Sequence, residues 1–204
     1  MEFIIQPYQK GQEIEISCLI KKVYDAYVAP DYTDKGNQFF YDWIAPEKIA
    51  ERQIDKINLH VAITNNQIVG MIEIRDNCNI TLLFVDKNHH GKGIARSLFK
   101  AALEVCLTRD GQLDRFFVHA SPFSIPAYER LGFIATAEMQ EEHGIKYLPM
   151  EMELKMFRIS NLKFPPHKHR RRFAKMLFKA FAEITRIGKA RHIRCFRHIV
   201  LTAL

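Results

Sequence analysis

The chain has 204 residues, of which 48% are hydrophobic, and this is enough for one well-packed domain and an appendage. It contains no apolar run of 18 residues, and residues 1–10 lack the basic start and apolar core of a signal peptide, so neither a membrane span nor a secretory leader is expected. Four scattered cysteines without C-x-x-C or zinc-type spacing predict reduced thiols, a cytoplasmic location and no metal site.

The net charge of +7 is distributed unevenly along the chain. Residues 157–204 hold 13 Lys or Arg and one acid, which gives +12, whereas residues 1–156 hold 17 basic and 22 acidic residues, which gives −5. Basic character therefore belongs to the C-terminal part alone. We predict a domain over residues 1–156 and a basic amphipathic extension over residues 157–204.

The first half of the domain is predicted to contain two helices and four strands. Apolar residues recur at helical spacing over 13–28 and again over 45–54, where Pro46 suits a first helical turn. Short runs rich in β-branched residues predict strands at 3–5, 59–64, 68–74 and 80–85. The second and third strands are joined by Asn65-Asn66-Gln67, which is a hairpin signal.

The second half continues with a helix from Ile94 to about Asp110 and a strand over 115–120. A short helix follows, begun by Pro126 and ended by Gly132 in a left-handed cap. Residues 134–139 and 147–155 are predicted as a final strand pair. The resulting order, β-α-α-β-β-β-α-β-α-β-β, predicts an α/β domain with a mixed sheet.

A glycine-containing turn, His90-Gly91-Lys92-Gly93, leads from the strand at 80–85 into the helix that begins at Ile94. N–H groups at a helix start have no partner within the helix, and glycines let a phosphate approach them closely. A pyrophosphate could rest on the amides of residues 92–96, with the Lys92 or Arg96 side chain adding charge. The alternative is an ordinary loop entering an amphipathic helix.

Spacing argues against two other phosphate motifs. No G-x-x-x-x-G-K-[ST] string is present, and Arg96 occupies the third glycine position of G-x-G-x-x-G. The turn instead resembles the acetyl-CoA signature Q/R-x-x-G-x-G/A of the GNAT acyltransferase superfamily, in which Gly93 and Ala95 match and His90 replaces the usual Gln or Arg. About 30 residues further on, Ala-Tyr-Glu-Arg-Leu-Gly-Phe at 127–133 is similar to a second GNAT segment.

The resemblance covers roughly residues 2–156 and implies a GNAT-like α/β fold: a mixed, largely antiparallel central sheet flanked by helices, here followed by a basic helical C-terminal extension. It also implies acetyl-CoA as co-substrate, held where the strands ending near Val85 and Ala120 splay apart. The pantetheine arm would pair with the first strand like an added strand. The expected cofactor contacts are Leu83, Phe84, Val85, His90, Gly91, Lys92, Gly93, Ile94, Ala95, Arg96, Ser121 and Ser124.

The implied chemistry is acetyl transfer to an amine by direct attack, with Tyr128 as the general acid. The general base is open between two residues, Glu73 and His119. Glu73 could instead be held in a salt bridge, and His119 could be purely structural. Aromatic and acidic side chains near the first two helices would suit a cationic amine, unless the aromatics are core and the acids merely solvated. These residues are Tyr27, Asp31, Tyr32, Asp34, Phe39, Phe40, Tyr41, Asp42 and Trp43.

The role of the C-terminal extension stays open among four readings. It could dock on the acidic domain, lie on anionic membrane, bind nucleic acid through phosphate contacts, or have no specific partner.

We predict an N-acetyltransferase acting on a small-molecule or protein amine. The alternative is a non-catalytic acyl-CoA-binding regulatory protein whose extension contacts membrane or nucleic acid. A homodimer is also open.

Overall fold

The computed structural model of the protein describes residues 2–54 and 58–154. The helices are α1 Glu13–Tyr27, α2 Asp34–Trp43, α3 Pro46–Ile54, α4 Ile94–Arg109 and α5 Ile125–Leu131. The strands are β1 Ile4–Pro7, β2 Asn58–Thr64, β3 Gln67–Arg75, β4 Asn79–Val85, β5 Arg115–Ala120, β6 Ile134–Ala135, β7 Gln140–Glu142 and β8 Ile145–Glu153.

The strands form one sheet in the order β1-β2-β3-β4-β5-β8-β6, with β7 paired to β8. Every pairing is antiparallel except that between β4 and β5. Those two strands pair only at Asn79 with Phe117 and at Ile80 with Val118. Their C-terminal halves therefore diverge and leave a gap in the sheet, as predicted.

Helices cover both faces of the sheet and bury two apolar clusters. The side chains of α4 and Tyr128 of α5 pack on one face together with Val118 and Ala120 of β5. Helices α1 and α3 pack on the other face, against residues that include Met71 and Leu82. This arrangement is the predicted mixed α/β architecture, with the gap lying between the two helical layers.

A glycine in β3 lets α4 approach the sheet closely. A Cβ atom at Gly70 would lie 3.0 Å from Cγ2 of Ile94 and 3.1 Å from Cδ1 of Leu98. Gly70 pairs with Val85 at the end of β4. The start of α4 is thus held directly above the end of the strand that borders the gap.

Local turn signals predicted the chain reversals correctly. Asn65 and Asn66 adopt φ values of +47° and +62°, which form the expected two-residue hairpin between β2 and β3. Gly132 ends α5 with φ +103°, the predicted left-handed cap.

Two element predictions were wrong. Helix α2 was missed, and the strand predicted over 134–139 is limited to Ile134–Ala135, while β7 forms a separate hairpin with β8. Helix α2 contains a glycine and an asparagine, both poor helix formers, and tertiary contacts compensate for them. Thr33 caps the helix by accepting a hydrogen bond from Gly36 N at 3.1 Å, and Asn37 accepts one from the Tyr24 hydroxyl at 2.7 Å.

The boundary predicted at residue 156, the end of the last strand at 155 and the basic extension over 157–204 lie outside the described residues. Over 2–54 and 58–154, no helix combines the length and hydrophobicity needed to cross a membrane.

Candidate active site

The glycine turn opens α4 with unpaired amides. Gly91 and Gly93 have φ values of +75° and +81°, in the left-handed region that favours glycine, and a Cβ at either position would meet no atom within 4 Å. Gly93 is the N-cap of α4, yet no side chain caps the helix and its first turn carries no acid. The amides of residues 94–96 are thus oriented for an anion from outside the helix.

Positive charge flanks this turn. Lys92 Nζ donates to Asn88 O at 2.8 Å and Arg96 Nη2 donates to Arg130 O at 3.2 Å, and both side chains are exposed. Both cations lie on exposed side chains next to the turn, so the role predicted for them stays a prediction.

The approach to the turn is fixed by the carboxylate of Asp86. It accepts a hydrogen bond from Asn88 N at 2.9 Å and pairs with Lys22 Nζ of α1 at 2.5 Å. Burial would raise the pKa of Asp86, but the hydrogen bonds from Lys22 and the Asn88 amide outweigh it and hold the pKa below its usual range. The glycine turn is therefore tied to both the sheet and α1.

Backbone groups line the gap between β4 and β5. Asp86 N donates to Val69 O at 2.8 Å, so in this antiparallel ladder the N–H and C=O groups of Leu83 and Val85 point away from β3. Phe117 N donates to Cys78 O at 2.9 Å, which directs the backbone groups of His119 toward β4. An extended chain placed in the gap would meet hydrogen-bonding groups on both sides.

His90, the first residue of the signature, turns back toward this gap. Its Nε2 atom lies 2.8 Å from the carbonyl oxygen of Val85. Its ring centroid lies 6.1 Å from that of Tyr27, which in turn stacks on Phe123 at 4.4 Å. Sequence reasoning placed His90 among the cofactor contacts but gave no sign of these partners.

Tyr128 lies on the α4 side of the sheet, in the apolar cluster that includes Val118 and Ala120 of β5. Its side chain is 5% exposed and packs edge-to-face on Phe133, with 5.5 Å between the ring centroids. Within the described residues its hydroxyl makes no hydrogen bond. Burial raises the pKa of Tyr128, so the phenol stays protonated in the neutral range and can act as a donor.

His119 lies on the opposite face of β5. Its neighbours Val118 and Ala120 are buried with Tyr128, whereas the His119 ring stacks on Tyr147 of β8 at 4.1 Å and 16°. His119 as a whole is exposed, but partial desolvation of its ring lowers its pKa, and the carboxylate of Glu142 only partly opposes the shift. The imidazole can therefore accept a proton, and it lies on the face of β5 opposite to the one on which Tyr128 packs.

The geometry argues against Glu73 as the general base. Its side chain is 0% exposed, and Arg52 Nε lies 3.1 and 3.2 Å from its two carboxylate oxygens. Thr81, the extra residue of a bulge in β4, donates to Glu73 Oε1 at 3.0 Å. The carboxylate is salt-bridged, as one alternative held, but inside the protein and not on its surface. It tethers α3 to the sheet.

Most aromatic residues of the first two helices are packed and not presented to a ligand. Tyr24 stacks on Phe40 at 3.9 Å, and Phe40 in turn lies 6.1 Å from Phe84 of β4. The acids proposed for cation binding are exposed. They are Asp31, Asp34 and Asp42. The packing therefore agrees better with the alternative, in which the aromatic residues belong to the core and the acids are solvated, than with the predicted cation pocket.

The chain before α2 closes against the β7–β8 hairpin. The Tyr32 hydroxyl donates to Lys146 O at 2.9 Å, and Thr33 N donates to Gly144 O at 3.2 Å. This contact walls the side of the gap on which His119 and Tyr147 lie. Neither Tyr147 nor the wall had a signal in the sequence, because both depend on the register of β8.

Ser121 and Ser124, two expected cofactor contacts, bond to each other in the turn after β5. Their hydroxyl oxygens are 3.0 Å apart, and Ser124 Oγ donates to Ser121 O at 2.9 Å. Their contact with the cofactor stays a prediction. No cluster of three His, Cys, Asp or Glu side chains suited to a metal occurs over 2–54 and 58–154.

A sequence profile described as "Acetyltransferase (GNAT) domain" matches residues 28–154. A search of curated protein sequences found no significant match.

Solved structures share the fold at low sequence identity. A GCN5-related N-acetyltransferase from Rhodopseudomonas palustris is 16% identical with a TM-score of 0.65, and the match covers 76% of this chain and 97% of that one. A PaiA N-acetyltransferase from Thermoplasma acidophilum, solved with coenzyme A, is 18% identical with a TM-score of 0.61, over 75% of this chain and 99% of that one.

Proposed function

Because the chain belongs to the GNAT superfamily of N-acetyltransferases, we propose that it moves an acetyl group from acetyl-CoA to an amine of a small molecule or protein by direct attack. One observation carries this proposal. The unpaired amides of α4 follow the end of β4, whose backbone groups face the gap, and Tyr128 packs in the same apolar cluster as α4 on that face of the sheet.

These residues fit coenzyme A. The amides of residues 94–96 would hold its pyrophosphate, and the backbone of Leu83 and Val85 would hold the pantetheine arm. The coenzyme A bound to the PaiA relative supports this choice of ligand. Acetyl-CoA supplies the thioester whose acetyl group is transferred.

Tyr128 is the proposed hydrogen-bond donor to the departing sulfur. A thiol has a reference pKa near 8.5, below that of a phenol, so complete proton transfer from a buried tyrosine is unfavourable. The benefit lies in a charge-assisted hydrogen bond that strengthens as negative charge develops on the sulfur. The low exposure of Tyr128 excludes competing water from this bond.

His119 is the proposed base. An amine is protonated at neutral pH and must lose a proton before it attacks, and the neutral imidazole can accept that proton directly or through a water. Stacking on Tyr147 fixes the plane of the ring. The contact between Tyr32 and the β7–β8 hairpin borders the same side, so it would form one wall of the acceptor site.

The test is a panel of acceptor amines with acetyl-CoA, read as released thiol. Diamines, amino sugars, amino acids and basic peptides represent the small-molecule and protein classes. Amine-dependent thiol release with at least one class is the expected result. Hydrolysis alone, at a rate indifferent to every amine, would contradict the proposal.

The pH profile tests the role of His119. Because the pKa of His119 is lowered, kcat should rise with pH only up to an apparent pKa below the usual value of about 6.5 and then level off. His119→Gln should remove this acidic limb and lower kcat at neutral pH about 10- to 100-fold. His143→Gln, which changes an exposed histidine on the hairpin, is the matched control. An unchanged limb in His119→Gln would rule out His119 as the base.

A further inference from the structure

We propose that His90 occupies the hydrogen-bonding position on β4 that the cofactor arm needs, so that acetyl-CoA must displace its ring and His90 sets the affinity for the cofactor. This inference rests on the proposed function, since it takes the arm to pair with the backbone of residues 83–85. It gives the residue at the altered position of the signature a role of its own.

The contact between His90 and β4 identifies the atom for which the imidazole and the cofactor arm would compete. His90 Nε2 lies 2.8 Å from Val85 O, and because a carbonyl oxygen only accepts, this nitrogen must carry the proton. Val85 is the last residue of β4, and its backbone groups face the gap and not β3. The imidazole therefore satisfies an acceptor that an added strand would otherwise use.

His90 stands at one end of a row of three rings. Tyr27, the last residue of α1, lies between the His90 ring at 6.1 Å and the Phe123 ring at 4.4 Å. Phe123 follows β5, so the row runs from the end of β4 to a point beyond the end of β5, across the open end of the gap. Phe123 is 46% exposed, which distinguishes this row from the packed core.

Displacement should cost little because His90 is exposed and its ring makes one hydrogen bond. A typical net hydrogen bond corresponds to an equilibrium factor of about 3 to 10. Occupation of Val85 O by His90 lowers the fraction of chains ready for the cofactor arm by this factor, and the apparent Kd rises accordingly.

Calorimetric titration of His90→Ala distinguishes an effect on binding of the pantetheine arm from an effect on binding of the phosphates. Coenzyme A is one probe, and 3′-phospho-ADP, which carries the pyrophosphate without pantetheine, is the other. We expect the Kd of coenzyme A to fall about 3- to 10-fold, with that of 3′-phospho-ADP unchanged within about twofold. His143→Ala is the matched control and should change neither.

Coenzyme A binding that is unchanged or weaker in His90→Ala overturns the inference, as does equal tightening of both probes. Failure of the unaltered chain to bind coenzyme A overturns the proposed function and this inference with it. A second readout is the Nε2–H signal of His90 in a ¹⁵N-labelled sample. Coenzyme A should shift this signal and 3′-phospho-ADP should not; a signal unmoved at saturating coenzyme A contradicts displacement.

Discussion

Replacing Tyr128 by Phe should lower kcat for acetyl transfer about 100-fold and leave the affinity for coenzyme A within about twofold. The substitution removes only the hydroxyl, so the ring keeps its packing on Phe133 and the core is preserved. The lost donor is needed as negative charge develops on the sulfur, and much less in the ground state. The effect should therefore appear in kcat and not in binding.

Steady-state kinetics and a binding titration on the same preparation check this result. Tyr8→Phe is a matched control, because its hydroxyl donates to Glu13 beside β1, at the far edge of the sheet from the gap. It should keep kcat within about twofold. An unchanged kcat in Tyr128→Phe would remove the donor role, and a parallel loss of coenzyme A binding would indicate a structural one.

Arg52→Ala should destabilise the fold by about 3–5 kcal/mol, because it leaves the Glu73 carboxylate buried without its cation. Arg52 also donates through Nη1 to Trp43 O at 2.8 Å, and its guanidinium lies 4.5 Å from the Trp43 ring centroid. The pair thus ties the end of α2, helix α3 and strand β3 together. Urea denaturation followed by circular dichroism measures the change in unfolding free energy.

The double variant Arg52→Ala/Glu73→Gln is the matched comparison. Neutralising the orphaned carboxylate should restore part of the lost stability, so the double variant should be more stable than Arg52→Ala alone. A loss below about 1 kcal/mol in Arg52→Ala, or a double variant no better than the single one, would mean that Glu73 is hydrated or otherwise compensated. Glu73 would then return as a candidate base.

Local chemistry explains which features the sequence could predict. The hairpin at Asn65-Asn66, the turn at Gly91 and Gly93 and the cap at Gly132 all depend on positive φ values that few residues adopt readily. The stripe of α1 and the apolar run of β4 follow from periodicity alone. These elements were enough to predict the glycine turn, whereas the family and the gap beside the turn followed from the resemblance of two motifs to GNAT segments.

Contacts between distant segments account for what the sequence did not reveal. Helix α2 depends on packing of Gly36 against Gly144, where a Cβ would lie 2.8 Å from the carbonyl oxygen, more than on its own propensity. The ion pair of Glu73 joins residues 21 positions apart, and Tyr147 reaches His119 only through the pairing of β5 with β8. No local pattern encodes such juxtapositions.

The central claim is that the amides at the start of α4 and the backbone bordering the gap hold a pyrophosphate-bearing thioester. Calorimetric titration of the folded full chain with acetyl-CoA tests this claim most directly. We predict saturable binding of one molecule per chain, with 3′-phospho-ADP competing for the same site. A well-folded sample that shows no heat with either ligand, over the concentrations at which enzymes bind their substrates, would contradict it.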